Sequence, residues 1–510
     1  MGSNAVSSSA ISRIVGWIFA KGNFQTVSPN LPQSINILAE ANTANQGTMP
    51  TIGTVVISAQ QAGKLYGYGS PIYHILRILL PLQGGGLQGI PINVYGIAAA
   101  GGATSKKIEV TPSGTATGNG THALIIAGRE GLDAQFYTLN IQSGDGPAEI
   151  TAYIADAVNA VLGAPCTGSD TSYDATLETK WKGATANELS VTVDTGNDTL
   201  GITYSISTIQ AGSGTPSIAA ALTQFGSQWN TIVINGFSTN TGVMSALESF
   251  NGIPDPNNPT GRYTGIIMKP FVALTGSTAD DPSSITDSGT HPDNVTIVIC
   301  PAPGSKGFTF EAAANACALY ANQAQNSPQL DIAGQAYPDM PAVTQQQWAS
   351  ATMSTWNGRD TIVKKGCSTV DLITGAYVVQ DFVTTYHPDG ENPPIYRYVR
   401  DLNIMWNIRF DYYLQEQLHV VGHVIVGNGD AVTAANSVSP KDWVGILFSR
   451  AIQWVANGWI TDAKFTQDSI QVQLNSTNQN RIDTTFNVKI SGFARITATT
   501  ATVGFNFGTQ

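Results

Sequence analysis

His419 and His423, four residues apart, come nearest in this sequence to a metal-ligating pair. They share a helix face only if the helical stretch Tyr396–Gln417 runs on through them, and no third ligand stands nearby, so no metal site is expected. Gly84, Gly85 and Gly86, followed by Leu87, Gln88 and Gly89, superficially resemble a phosphate loop. No Lys, Ser or Thr follows and no helix opens there, so the segment reads as a flexible turn. Gly67 and Gly69 around Tyr68 read as a helix–helix turn. No G-x-S-x-G elbow occurs. Cys317 sits mid-helix among alanines, where a packed thiol is expected. Asp280, Asp281 and Asp287 with His291 form the most acidic loop, read as a solvated turn. Trp348, Trp356, Trp406, Trp443, Trp454 and Trp459 crowd the second half and suit a core or subunit interface. No catalytic residue, cofactor or metal ligand is assigned, and the chain is expected not to be an enzyme.

The composition narrows the class further. Of 510 residues, 24 are Lys or Arg and 35 are Asp or Glu, so 12% are charged, against about 25% in an ordinary soluble protein. Disorder does not explain this, because 42% of the residues are hydrophobic and the net charge is only −11. The acidic balance argues against nucleic acid as a partner. The longest apolar runs, Ile75–Leu82 and Ile11–Ala20, fall short of a membrane span and contain Arg77 and Arg13. Met1–Ala10 has no signal-peptide pattern. Cys166, Cys300, Cys317 and Cys367 lie far apart and read as reduced thiols in a protein made in the cytoplasm. A charge-poor surface on a full core suits a subunit that buries its outside against copies of itself.

The elements that must carry such contacts read as a mixed α/β (α+β), multi-domain chain: a layered α/β core, an inserted mainly-β domain and extended terminal arms. Residues 1–30 form an amino-terminal arm without a core. Residues 31–100 supply the first part of the α/β core, with strands Gln33–Leu38, Thr51–Ser58 and Pro91–Ala98 and helices Ala59–Leu65 and Pro71–Leu80. Residues 101–214, rich in Gly, Thr and Ser, read as an inserted mainly-β outer domain interrupted by helix Pro147–Leu162. Residues 215–395 alternate helices (Pro216–Trp229, Gly242–Phe250, Thr309–Gln325) with strands (Thr231–Asn235, Tyr263–Lys269, Asn294–Cys300), a layered βαβ pattern. Residues 396–494 hold helices Tyr396–Gln417 and Pro440–Asn457, then Lys464–Leu474 and Arg481–Gly492. Residues 495–510 end in an uncharged, Thr-rich strand with nothing after it to pair with, an open edge that needs a neighbour. The coreless arm and this strand are what β-augmentation between chains uses. Ile11, Ile14, Val15, Ile496, Ala498, Thr500, Val503 and Phe505 are the residues expected in that exchange.

Five stretches, in order, carry a family likeness. Ile57–Leu80 (ISAQQAGKLYGYGSPIYHILRILL) resembles the S-x-x-x-A-x-x-x-[FY]-G-x-G-S segment of Mu-like contractile phage tail sheath proteins. Leu177–Val191, Leu222–Asn235, Gly307–Gln329 and Val383–Arg409 follow as they do in that family. The likeness runs from about residue 50 to the last residue, 510.

The resemblance implies a structural subunit that stacks as hexameric rings around a tail tube, exchanges terminal arms with its neighbours, and contracts to drive the tube through the host envelope. It implies a virion component assembled in the host cytoplasm. Implied partners are copies of itself, the tail tube protein, and the baseplate and tail terminator proteins, with no direct membrane insertion. An inserted domain lies naturally outside, so the tube-facing surface is expected on the carboxy-terminal unit, with Lys441 and Arg450 as candidates. The sheath of a tailocin is the alternative reading, followed by a secreted β-rich adhesin or an α/β enzyme.

Overall fold

A computed structural model describes residues 29–87, 89–265, 268–287, 291, 293–388, 395–429 and 435–503. Ile35–Glu40 (β1) is buried at every position. A strand without polar alternation belongs inside a sheet covered on both faces. It is followed by the short Thr54–Val55 (β2), the helices Ala59–Tyr66 (α1) and Pro71–Leu79 (α2), and Ile92–Ile97 (β3). Both helices start as their sequences dictate: Ser58 accepts from the Gln61 amide, Ser70 accepts from the Tyr73 amide, and Pro71 stands at the first turn of α2.

The chain then leaves the sheet. Lys107–Ser113 (β4), Gly120–Ile126 (β5), Thr138–Ile141 (β6), Pro147–Ala160 (α3), Cys166–Asp170 (β7), Ala175–Thr179 (β8), Val191–Asp194 (β9) and Thr203–Gln210 (β10) make two antiparallel sheets, ordered β10-β4-β8-β7 and β9-β5-β6. Ile150, Ile154 and Val158 of α3 are buried in this region.

After it, Ile232–Asn235 (β11), Thr241–Asn251 (α4), Val272–Ser277 (β12), Ile297–Pro301 (β13) and Thr309–Asn326 (α5) return to the main sheet. Its order is β13-β12-β11-β1-β3-β2, parallel except for β2. Ile35 pairs with both Ile232 and Ile92. The sheet is thus built from chain on both sides of residues 104–213, and β1 is the strand at which its connectivity changes direction. Helix α5 lies close on β12: a Cβ at Gly276 would stand 1.7 Å from the Thr309 carbonyl oxygen.

The remaining elements are Trp356–Lys364 (α6), the hairpin Thr369–Ile373 (β14) and Ala376–Asp381 (β15), and the long helix Val399–His419 (α7). The parallel pair Val424–Ile425 (β16) and Ser437–Val438 (β17) precedes Pro440–Ala456 (α8), Ala463–Ser469 (α9), and the hairpin Gln471–Leu474 (β18) with Ile482–Thr485 (β19). Helix α8 opens on a full capping box: Ser439 Oγ accepts from the Asp442 amide, and Asp442 accepts from the Ser439 amide at 3.0 Å.

The mixed α/β, multi-sheet class matches expectation; several element limits do not. The strand expected at Tyr263–Lys269 lies instead at Val272–Ser277, because the Lys269 carbonyl is taken by the Arg262 side chain and Pro270 has no amide to donate. Helix Pro216–Trp229 shrinks to Ala219–Thr223, and Gly226, at φ +54, lies outside helical geometry. Thr51–Ser58 keeps only β2, Gln135–Ile141 splits in two, Arg481–Gly492 keeps only β19, and Lys464–Leu474 is a helix followed by a strand. The four cysteines are buried and unpaired.

Candidate subunit-contact surface

The carboxy-terminal segment is fastened to the body and then released. Ser491 donates its amide to the Trp459 carbonyl at 3.0 Å, while its own carbonyl and hydroxyl accept from the Arg400 guanidinium at 2.7 and 2.8 Å. Arg495 pairs with Asp331 and with Asp381, the latter at 3.3 Å, and its guanidinium lies 4.0 Å from the centre of the Tyr398 ring. Burial pushes the Asp331 carboxyl upward and Arg495 opposes that. Beyond this clamp the chain has no partner among the described residues: 496–503 forms no strand, and Ile496 and Val503 are 85% and 92% exposed. Eight successive uncharged residues, Thr-rich and extended in pattern, stand in solvent with their main-chain donors and acceptors unused by the described chain.

Ile496, Ala498, Thr500 and Val503, expected to exchange between subunits, all lie on this released segment. Phe505 and the amino-terminal candidates Ile11, Ile14 and Val15 lie outside the described residues.

Helix α8 and the β18–β19 hairpin form a second surface. Val472 and Ile482 pack under the hairpin against Trp443 and Leu447, and the Trp443 indole donates to Thr484 Oγ1 at 3.2 Å. The outer edges of this two-stranded sheet are unpaired among the described residues. Phe448, Ile452 and Val455, spaced i, i+4 and i+7, form an apolar stripe on the outer side of α8, with Ile452 60% exposed. Lys441 is exposed on the first turn of the same helix.

Arg450 is placed differently from Lys441. At 8% exposure it grips Asp411 of α7 through two nitrogens, at 3.0 and 2.9 Å, and the Trp454 indole donates to the same carboxylate at 2.6 Å. It clamps α8 to α7 and shows little of its charge to solvent, for position 450 follows the buried face of Trp443, Leu447 and Trp454. Sequence reasoning missed this clamp and the anchor made by Arg400 and Arg495, because the partners, Asp411, Ser491, Asp331 and Asp381, come from segments distant in sequence. On this helix the sequence reading joins Trp443, Leu447 and Ile452 as one stripe; Trp443 and Leu447 are buried and Ile452 is exposed, on the separate Phe448–Ile452–Val455 stripe. Among the described residues no three His, Cys, Asp or Glu side chains converge as a metal site, and no helix is long and apolar enough to cross a membrane.

No protein-family model matches the chain. Its sequence is similar to the Mu-like prophage FluMu tail sheath protein of Haemophilus influenzae, 21% identical over 446 residues, which is 86% of each chain. Solved structures similar to it include sheath tail proteins from Desulfitobacterium hafniense (11% identity, TM-score 0.44, 93% of this chain and 99% of that one) and Listeria innocua (11%, 0.43, 92% and 94%). The resemblance to Mu-like tail sheath proteins is borne out by the match to the H. influenzae protein, which spans most of both sequences.

Proposed function

We propose that the chain is the sheath subunit of a Mu-like contractile phage tail, a non-enzymatic virion component that polymerises as stacked hexameric rings around the tail tube. The observation that carries this reading is the clamp at Ser491–Arg495 followed by an exposed, unpaired segment from Ile496. A monomeric protein has no use for a fixed anchor on a strand it does not pair; a polymer does, because main-chain pairing to a neighbour supplies the missing hydrogen bonds. Such pairs are insensitive to side-chain repacking. They can persist while contraction changes the contacts between the larger bodies. The acceptor edge we favour is the β18–β19 hairpin, whose outer edges are open among the described residues. Lys441 and the Phe448–Ile452–Val455 stripe are the tube-facing candidates. Residues 101–214 are peripheral in this reading. The baseplate and terminator proteins cap the two ends of the sleeve.

Deleting Ile496–Gln510 tests it. The truncated protein should keep its circular dichroism spectrum and unfolding midpoint, since the lost residues make no described contact with the body, yet form no sleeves under negative-stain electron microscopy. Sleeves of normal appearance from the truncated protein would sink the proposal.

A further inference from the structure

We infer that the cavity at the carboxyl ends of β1 and β11 binds a hard divalent cation, of the calcium or magnesium class, between Glu40 and Glu188. In a parallel sheet the crevice at the strand where connectivity reverses is where ligands settle, and β1 is that strand here. The cavity measures about 240 Å³ and is lined by Glu40, Thr185, Glu188, Ser238, Thr239 and Asn240 among others. Exposed Ala184 and Gly214 stand at its mouth.

Glu40 is 1% exposed. Its Oε2 accepts from Thr185 Oγ1 at 2.6 Å, and its Oε1 is buried without any partner. Gly183 keeps that oxygen clear: a Cβ there would stand 2.4 Å from Oε1. Glu188 is held at the amino terminus of α5, accepting from the Thr309 amide at 2.7 Å and from Thr309 Oγ1 at 2.8 Å. No Lys, Arg or His among the described residues offsets either carboxylate. Burial pushes both up to about 7, with Glu188 adding repulsion at Glu40 and Glu311 adding it at Glu188. Once ionised, two carboxylates in one cavity without a cationic side chain beside them call for a positive charge.

The donors at the cavity are oxygens: two carboxylates and the hydroxyls of Thr239 and Ser238, the latter already hydrogen-bonded to Glu188. That set suits calcium or magnesium and lacks the His and Cys ligands that zinc prefers. The donors come from the end of β1, from the 3-10 turn Ala184–Glu188 and from the loop after β11. A cation there would tie residues 101–214 to the main sheet.

The test is calorimetric titration of the full-length protein, stripped with EDTA, with calcium chloride and separately with magnesium chloride at pH 7. Saturable binding of one ion per chain is expected. At pH 8 the unfolding midpoint should rise with the logarithm of cation concentration. Glu40→Gln and Glu188→Gln should each weaken binding at least tenfold. Absence of binding at millimolar calcium and magnesium would overturn the inference and leave a proton as the neutralising charge. Undiminished binding in both variants would overturn it too, by putting the ion elsewhere; should either Gln variant fail to fold, Glu40→Asp, which keeps the charge and draws back the carboxylate, decides, and undiminished binding there overturns it as well.

Discussion

Glu311 and Glu40 are both buried where residues 101–214 meet the α/β sheet, yet they are driven to opposite states. Burial alone would push Glu311 up, but Arg129 at 2.9 Å and His74 at 3.2 Å, with Arg77 farther off, hold it down to about 2. Arg77 and Arg129 also bind Asp339, Arg77 reaches Asp133 at 3.3 Å, and the Tyr73 hydroxyl donates to Asp133 at 2.7 Å. His74 itself is kept neutral by burial. Glu40 has a similar burial and only one hydroxyl donor, and it rises to about 7. Equal burial with unequal partners makes one side of the junction a permanent lock and the other a place where charge must be imported.

The contrast breaks most visibly at Arg129. Arg129→Met leaves Glu311 buried with His74 and only the more distant Arg77, without its direct ion pair, and should cost about 3–5 kcal/mol. The unfolding midpoint should fall sharply and recover in large part in Arg129→Met/Glu311→Gln. If the double variant is no more stable than the single one, the charges are not what closes that side.

The other side should respond with the opposite sign. A carboxyl whose folded pKa exceeds its unfolded one stabilises fully below the unfolded value and loses that contribution as pH rises through the folded value. Without divalent cations, stability should therefore fall between pH 4.5 and about 7 and level off above. For Glu40 the span from 4.5 to about 7 amounts to roughly 3 kcal/mol. Glu40→Gln should flatten the slope and raise the midpoint at pH 8; identical profiles for the variant and wild type would remove Glu40 from the account.

The smallest effect is expected at Thr185, whose hydroxyl donates to Glu40 and accepts from the Trp181 indole at 3.0 Å. Thr185→Val should cost about 1–3 kcal/mol by leaving the indole unpaired and should shift the pH-dependent fall to higher pH. A loss without that shift would mean the hydroxyl serves only Trp181.

Much of the fold was legible where local signals agree. Ser58, the Ser70–Pro71 pair and the Ser439–Pro440 pair mark helix starts by chemistry that does not depend on distant chain, and β1 and β3 are short apolar runs between turn signals. The hairpin Thr369–Asp381 escaped because its turn is Thr374–Gly375, both at positive φ, where Asn-Gly would have announced it. The released segment was legible as an unpaired Thr-rich end; its anchor was not, since Asp331, Asp381 and Arg400 come from three segments that only the fold brings to it. The Glu40–Glu188 cavity was illegible for the same reason. Glu40 closes an apolar strand, its partner arrives on a distant 3-10 turn, and only the fold sets them together.

The clamp at Arg495 also fixes a radius. Ile496–Phe505, the stretch expected in the exchange, is ten residues long, and fully extended it reaches about 33 Å. A neighbour that pairs with this stretch is on a leash measured from the Tyr398 ring. Whatever sliding or rotation two subunits undergo, that receiving edge must stay within the same sphere before and after. Lengthening the leash without moving its fastening would loosen the coupling of motion between adjacent subunits while leaving each subunit's own fold as it is.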